Sequence, residues 1–183
     1  MKNGDLLFIS DRSNLFSKLI IKSTSEVFSY NHVAILYIDY DNNFNVIESI
    51  PSRGVIKRSL AEFITDNVEY EIDLYRVKIK FNDKEVIKNA FKFLGEPYNN
   101  TFTQNGNGLY CSELIIKSFA NENIFKPIKL QFGKDKETLD SWTKYYEEYN
   151  MKIPFNDLGS SPNSLIKSDA IRFVENINKK ATH

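Results

Sequence analysis

Apolar and polar positions recur with clear periods along most of the chain. "DLLFIS" is a short apolar run that predicts a strand, and "NLFSKLIIKS" behind it has helical spacing with Asn14 as its N-cap. "HVAILYIDY" is apolar on both faces, as a strand covered on both sides must be. "DNN" then turns the chain into "FNVIESI", so these two runs predict an antiparallel hairpin. "SLAEFI" reads as one or two helical turns capped by Ser59, and "VEYEIDLYRVKI" as a long alternating strand. "NDKEVIKNAFKFLGEPYN" places Val86, Ile87, Ala90, Phe91 and Leu94 on one helical face, with Asn82 or Asp83 at its start and Gly95 and Pro97 at its stop. In "CSELIIKSFA", Cys111, Leu114, Ile115, Ser118 and Phe119 share a side, which puts Cys111 in the first turn, facing inward. Beyond position 132 the pattern gives a helix in "KETLDSWTKYYEEY", a polar loop through "FNDLGSSPNS", and a short strand or helix near "DAIRFVENI". This last third is expected to be peripheral to the site. The sum is an α+β fold, a small antiparallel sheet or partial barrel packed against helices.

Composition narrows the reading. A chain of 183 residues, 42% of them hydrophobic, is long enough to bury a core without disulfides or a structural metal. No repeat or linker divides it, so residues 1–183 are expected to form one domain. Lysine plus arginine and aspartate plus glutamate number 24 each, so no overall field draws the chain to nucleic acid. One cysteine and two histidines cannot build a cysteine/histidine zinc site, and nothing marks a site made of carboxylates alone. The start carries no signal-like stretch, and no run reaches the roughly twenty apolar residues of a membrane helix. The chain as given is expected to be soluble and cytoplasmic, or in the envelope or secreted if a signal peptide has been removed. Aromatics make up 14% of residues; they suit a groove, but the core is their expected place.

Three residues stand out against a plain core. Cys111 lies where first-turn N–H groups lack intrahelical acceptors and, with the helix dipole, favour a thiolate and an oxyanion. The alternative is a small buried hydrophobe. His183 ends a polar tail where disorder is the default, which leaves His32, on one strand face with Ala34, Leu36 and Ile38. The alternative there is an imidazole bonded to a backbone carbonyl. Glu48 falls on the more apolar side of its strand, with Phe44, Val46 and Ile50, and a carboxylate in that place asks for a partner. It could instead reach water or pair with a lysine. A turn centred near position 41 sets residue 34 opposite 48, and so brings His32 and Glu48 within a diagonal neighbour's reach. Nucleophile, imidazole and carboxylate together follow the logic of acyl transfer.

"GDLLF", "NHVAI", "VIES", "GEPYN" and "LYCSEL", in this order, resemble the permuted branch of the NlpC-type papain-like cysteine hydrolases, the YiiX-like proteins. The retinol acyltransferase group is a more distant likeness. The resemblance covers residues 4 to about 120 and touches "SPNSLI". It implies a circularly permuted papain-like fold, with Cys111 as nucleophile, His32 as base and then acid, and Glu48 orienting His32. It also implies Tyr98, in "GEPYN", as a hydroxyl near the oxyanion; a plain loop anchor is the alternative. Tyr110 stands where unpermuted members often have aspartate, so substrate contacts do not carry over. The implied activity is hydrolysis of an amide or ester through an acyl-thioester, without a cofactor. The implied substrate is a small peptide, amide or acyl compound, a peptidoglycan fragment first. A lipid acyltransferase or phospholipase-like enzyme, or a silent binding module of the same fold, are the alternatives.

Overall fold

In the computed structural model, residues 1–178 are described; His183 lies outside them. The chain runs β1 (Leu6–Ser10), α1 (Leu15–Thr24), β2 (His32–Ile38), β3 (Phe44–Ile50), β4 (Gly54–Ser59), α2 (Leu60–Asp66), β5 (Glu71–Val77), α3 (Asp83–Lys92) and α4 (Cys111–Ser118). A 3-10 turn, Ala120–Glu122, leads to β6 (Ile128–Lys129), α5 (Lys136–Glu147), β7 (Leu158–Gly159), α6 (Pro162–Ile166) and β8 (Ile171–Asn176). Six strands form one antiparallel sheet in the order β4-β3-β2-β1-β5-β8, and β6 pairs with β7 apart from it.

Capping residues start the helices where the pattern puts them. Asn14 Oδ1 accepts the Ser17 N–H at 2.8 Å, and Ser59 and Glu62 form a reciprocal capping box at α2. Asn82, not Asp83, caps α3. The central strand β2 is covered on both faces. Val33, Ile35 and Tyr37, with Ile47 of β3, pack under α3 and α4 through Val86, Ala90, Leu114 and Ile115. Ala34 and Leu36, with Val46, pack against Leu60 and Phe63 of α2. The β2–β3 register pairs Ile35 with Ile47 and Leu36 with Val46, which carries on to 34 opposite 48. A third apolar cluster, Phe132, Trp142 and Tyr146, packs against Phe16, Leu19 and Ile20 of α1.

The sequence pattern passes over "GVIKRS", which forms β4 at one edge of the sheet. One expectation needs correction. The last third is not peripheral: Tyr145 and Tyr146 of α5 donate to the carbonyls of Asn100 and Thr101 at 2.7 and 3.0 Å, bracing the loop that leads to Cys111. The "DAIRFVENI" segment is a strand, β8, at the far edge of the sheet.

Candidate active site

Cys111 begins α4 and is 5% exposed. Its N-cap, Tyr110, makes no side-chain capping bond, so the first-turn N–H groups keep no side-chain acceptor from that position. The approach to the helix is fixed by backbone. Gly108 sits at φ +90, where a Cβ would fall 1.9 Å from the Pro97 carbonyl oxygen. That close approach allows Leu109 N–H to donate to the same carbonyl at 2.9 Å, while Ser49 Oγ of β3 donates to Leu109 O at 2.6 Å. The thiol is thereby tied both to the Tyr98 segment and to the strand that carries Glu48.

His32 opens β2, at the end of the strand, with its side chain 16% exposed. Its Nε2 donates to Glu48 Oε2 at 2.6 Å. The imidazole also lies beside Cys111, close enough for the two side chains to interact. With Nε2 engaged by Glu48, Nδ1 is the nitrogen left for the thiol. Burial works against a charged imidazole here, yet the bonds and attraction of Cys111 and Glu48 more than offset it, and the His32 pKa rises to about 10.

Glu48 is 1% exposed and follows Val46 on the face of the sheet covered by α2, the face away from α4. Its second oxygen accepts Arg58 Nε at 2.6 Å. Burial opposes its charge, and the hydrogen bond from His32 with the pull of Arg58 overcomes it, holding the carboxyl below its usual range. The partner that this buried carboxylate asks for is thus histidine and arginine, not lysine.

Tyr98 is half-buried and lines the same cavity as Cys111. Its ring stands edge-on to Phe102 at 6.4 Å. Burial, with Cys111 nearby, pushes its phenol well above the ordinary value, so the hydroxyl keeps its proton and can donate. The cavity measures about 50 Å³ and is walled mainly by Ile20, Phe102, Leu130, Phe132 and Trp142, with Ser160 at one side. Sequence reasoning missed these walls; the aromatic content was their one signal.

The family model described as "Permuted papain-like amidase enzyme, YaeF/YiiX, C92 family" matches residues 1–175. The chain belongs to this family. No curated protein matches it in sequence. Among solved structures it is similar to the metalloprotein yiiX from Escherichia coli O157:H7, with a TM-score of 0.78 and 20% identity over 96% of this chain and 97% of that one. The mixed helices and antiparallel sheet are therefore the permuted papain-like fold of the amidase family, whose members are hydrolase-type enzymes. That neighbour is called a metalloprotein, which raises the question of a metal here. Among the described residues no three histidine, cysteine or acidic side chains gather as ligands, and both Glu48 oxygens are already taken by His32 and Arg58. The described residues thus show no ligand set for a metal. Nor is any helix among them long and apolar enough to cross a membrane.

Proposed function

We propose that this member of the amidase family is a cysteine hydrolase that cleaves an amide through an acyl-thioester, with its working groups in the single domain read from the sequence. One observation supports the reading: His32 is held by Glu48 through Nε2 and lies beside Cys111, which begins a helix. His32 Nδ1 takes the thiol proton, which the raised pKa of the imidazole lets it keep while the sulfur attacks the carbonyl carbon and moves the C=O electron pair onto oxygen. The Cys111 N–H and the Tyr98 hydroxyl receive that oxyanion. The imidazolium then gives its proton to the departing nitrogen. Water, deprotonated by His32, attacks the thioester, and sulfur leaves to be reprotonated. Glu48 keeps the imidazole aimed throughout.

Iodoacetamide labelling across pH tests this. The wild-type thiol should react at pH 6 and lose that reactivity in His32→Ala. A thiol inert until denaturation would instead mark a packing residue and a silent module.

The walls of the cavity favour an apolar acyl group over the polar peptide of a peptidoglycan fragment. This is the observation that supports a lipid-type acyl compound as substrate. Amides of one amine with acyl chains of increasing length decide it. Rates should rise with chain length and fall back when Ile128, at the partly exposed rim of the cavity, is changed to Asp. Faster turnover of polar peptide amides would restore the peptidoglycan reading.

A further inference from the structure

Resting on the hydrolase reading, we propose that Arg58 is a positioning residue of this site, fixing Glu48 from the side away from His32. Strand β4 pairs with β3 so that Ile56 faces Glu48 and Arg58 faces Val46, which makes Arg58 a diagonal neighbour of the carboxylate on the same face. Its guanidinium is held on three sides. Nε donates to Glu48 Oε1 at 2.6 Å, Nη1 donates to Asp66, and Cζ lies 5.1 Å from the centre of the buried Phe63 ring. An ionic chain thus runs from Asp66, whose side chain is 66% exposed, through Arg58, 13% exposed, to Glu48 and His32.

The chemistry needs this arrangement. Glu48 must accept from His32 Nε2–H as a charged carboxylate, and a protonated Glu48 would be only a neutral, weaker acceptor. The imidazolium, whose pKa stands at about 10, would then lose the charge that steadies it while it holds the thiol proton on Nδ1. Arg58 gives the second carboxylate oxygen a charged donor, and its rigid fork does so in one orientation. Lysine could supply the charge without the fork.

A residue that merely stabilises the fold would not move the titration of His32. The imidazole 15N resonances of His32, assigned with His32→Gln, are to be followed against pH in wild type, Arg58→Met and Arg58→Lys, alongside the rate of Cys111 alkylation. Removing the positive charge should shift the acid-side inflection of His32 upward by about one to three pH units. The acid limb of alkylation should move with it, each unit being tenfold in the ionised fraction of Glu48 on that limb. Arg58→Lys should return most of the shift. An unchanged inflection in Arg58→Met with a reactive thiol, or a shifted inflection with an unmoved alkylation limb, sinks this proposal alone. If Arg58→Met does not fold, Arg58→Gln is read in its place, and loss of fold in both assigns a structural role and overturns it. A wild-type thiol that is inert sinks the hydrolase reading, and the positioning role with it.

Discussion

His32 and Glu48, sixteen positions apart in the chain, meet through a hydrogen bond of 2.6 Å between Nε2 and Oε2. The meeting follows from one hairpin whose register sets 34 opposite 48. Replacing Glu48 with Gln tests its charge at nearly constant shape. Arg58 only donates, so it will hold the amide oxygen and leave the NH₂ facing His32 Nε2. The ring is then forced into the tautomer with its proton on Nδ1. Amide turnover should fall on the order of 10²- to 10⁴-fold. Denaturant unfolding should show a loss of about 3 kcal/mol, as for a broken buried pair.

Stability should depend on pH through the same two groups. His32 is raised from 6.5 to about 10 in the fold, so its contribution is full below about 6.5 and fades as pH climbs through 10. Glu48 is lowered from 4.5, so its contribution is full above that value and is lost as pH falls through its folded pKa. The gap in unfolding free energy between wild type and His32→Gln should therefore be widest between pH 4.5 and 6.5 and narrow toward either side. A gap that widens from neutral pH to pH 10 contradicts the assignment.

Tyr98→Phe separates oxyanion support from loop anchoring. Alkylation of Cys111 by iodoacetamide creates no oxyanion, so its rate should stay at the wild-type level. Amide turnover should drop roughly 10²-fold, as for the loss of one oxyanion donor. Equal, small effects on both rates would leave Tyr98 as an anchor.

Two glycines with similar backbone make a matched pair. Gly108 and Gly95 both have positive φ, +90 and +87, but a Cβ on Gly108 meets Pro97 backbone at 1.9 Å whereas one on Gly95 meets nothing within 4 Å. Both alanine variants carry a strain of about 1 kcal/mol. Gly108→Ala must also push the Pro97–Leu109 contact apart, so it should lower the melting temperature further and cut turnover. Gly95→Ala should leave turnover unchanged.

The placement of the candidate site residues is largely legible in the sequence because they lie on elements with strong local signals. A short turn and two buried strands fix where His32 and Glu48 face, and helical spacing fixes Cys111 in its first turn. What escaped depends on long-range packing. "GVIKRS" carries charge because it lies at the sheet edge, so neither β4 nor the role of Arg58 as partner of Glu48 stands out. The walls of the cavity come from α1, from α5 and from segments between them in the chain, and no local pattern joins Ile20 to Phe102 or Trp142. The "FNDLGSSPNS" stretch looks polar because Ser160 and Ser161 turn their hydroxyls to Ser112 and to the start of α6.

Trp142 is the one tryptophan of the chain, and its indole N–H donates to Ser23 Oγ at 2.7 Å while its ring walls the cavity beside Cys111. All indole fluorescence of the protein therefore originates at the pocket. A change in emission on mixing with an amide would report filling of the cavity before any product is released, giving an unlabelled optical readout of each turnover.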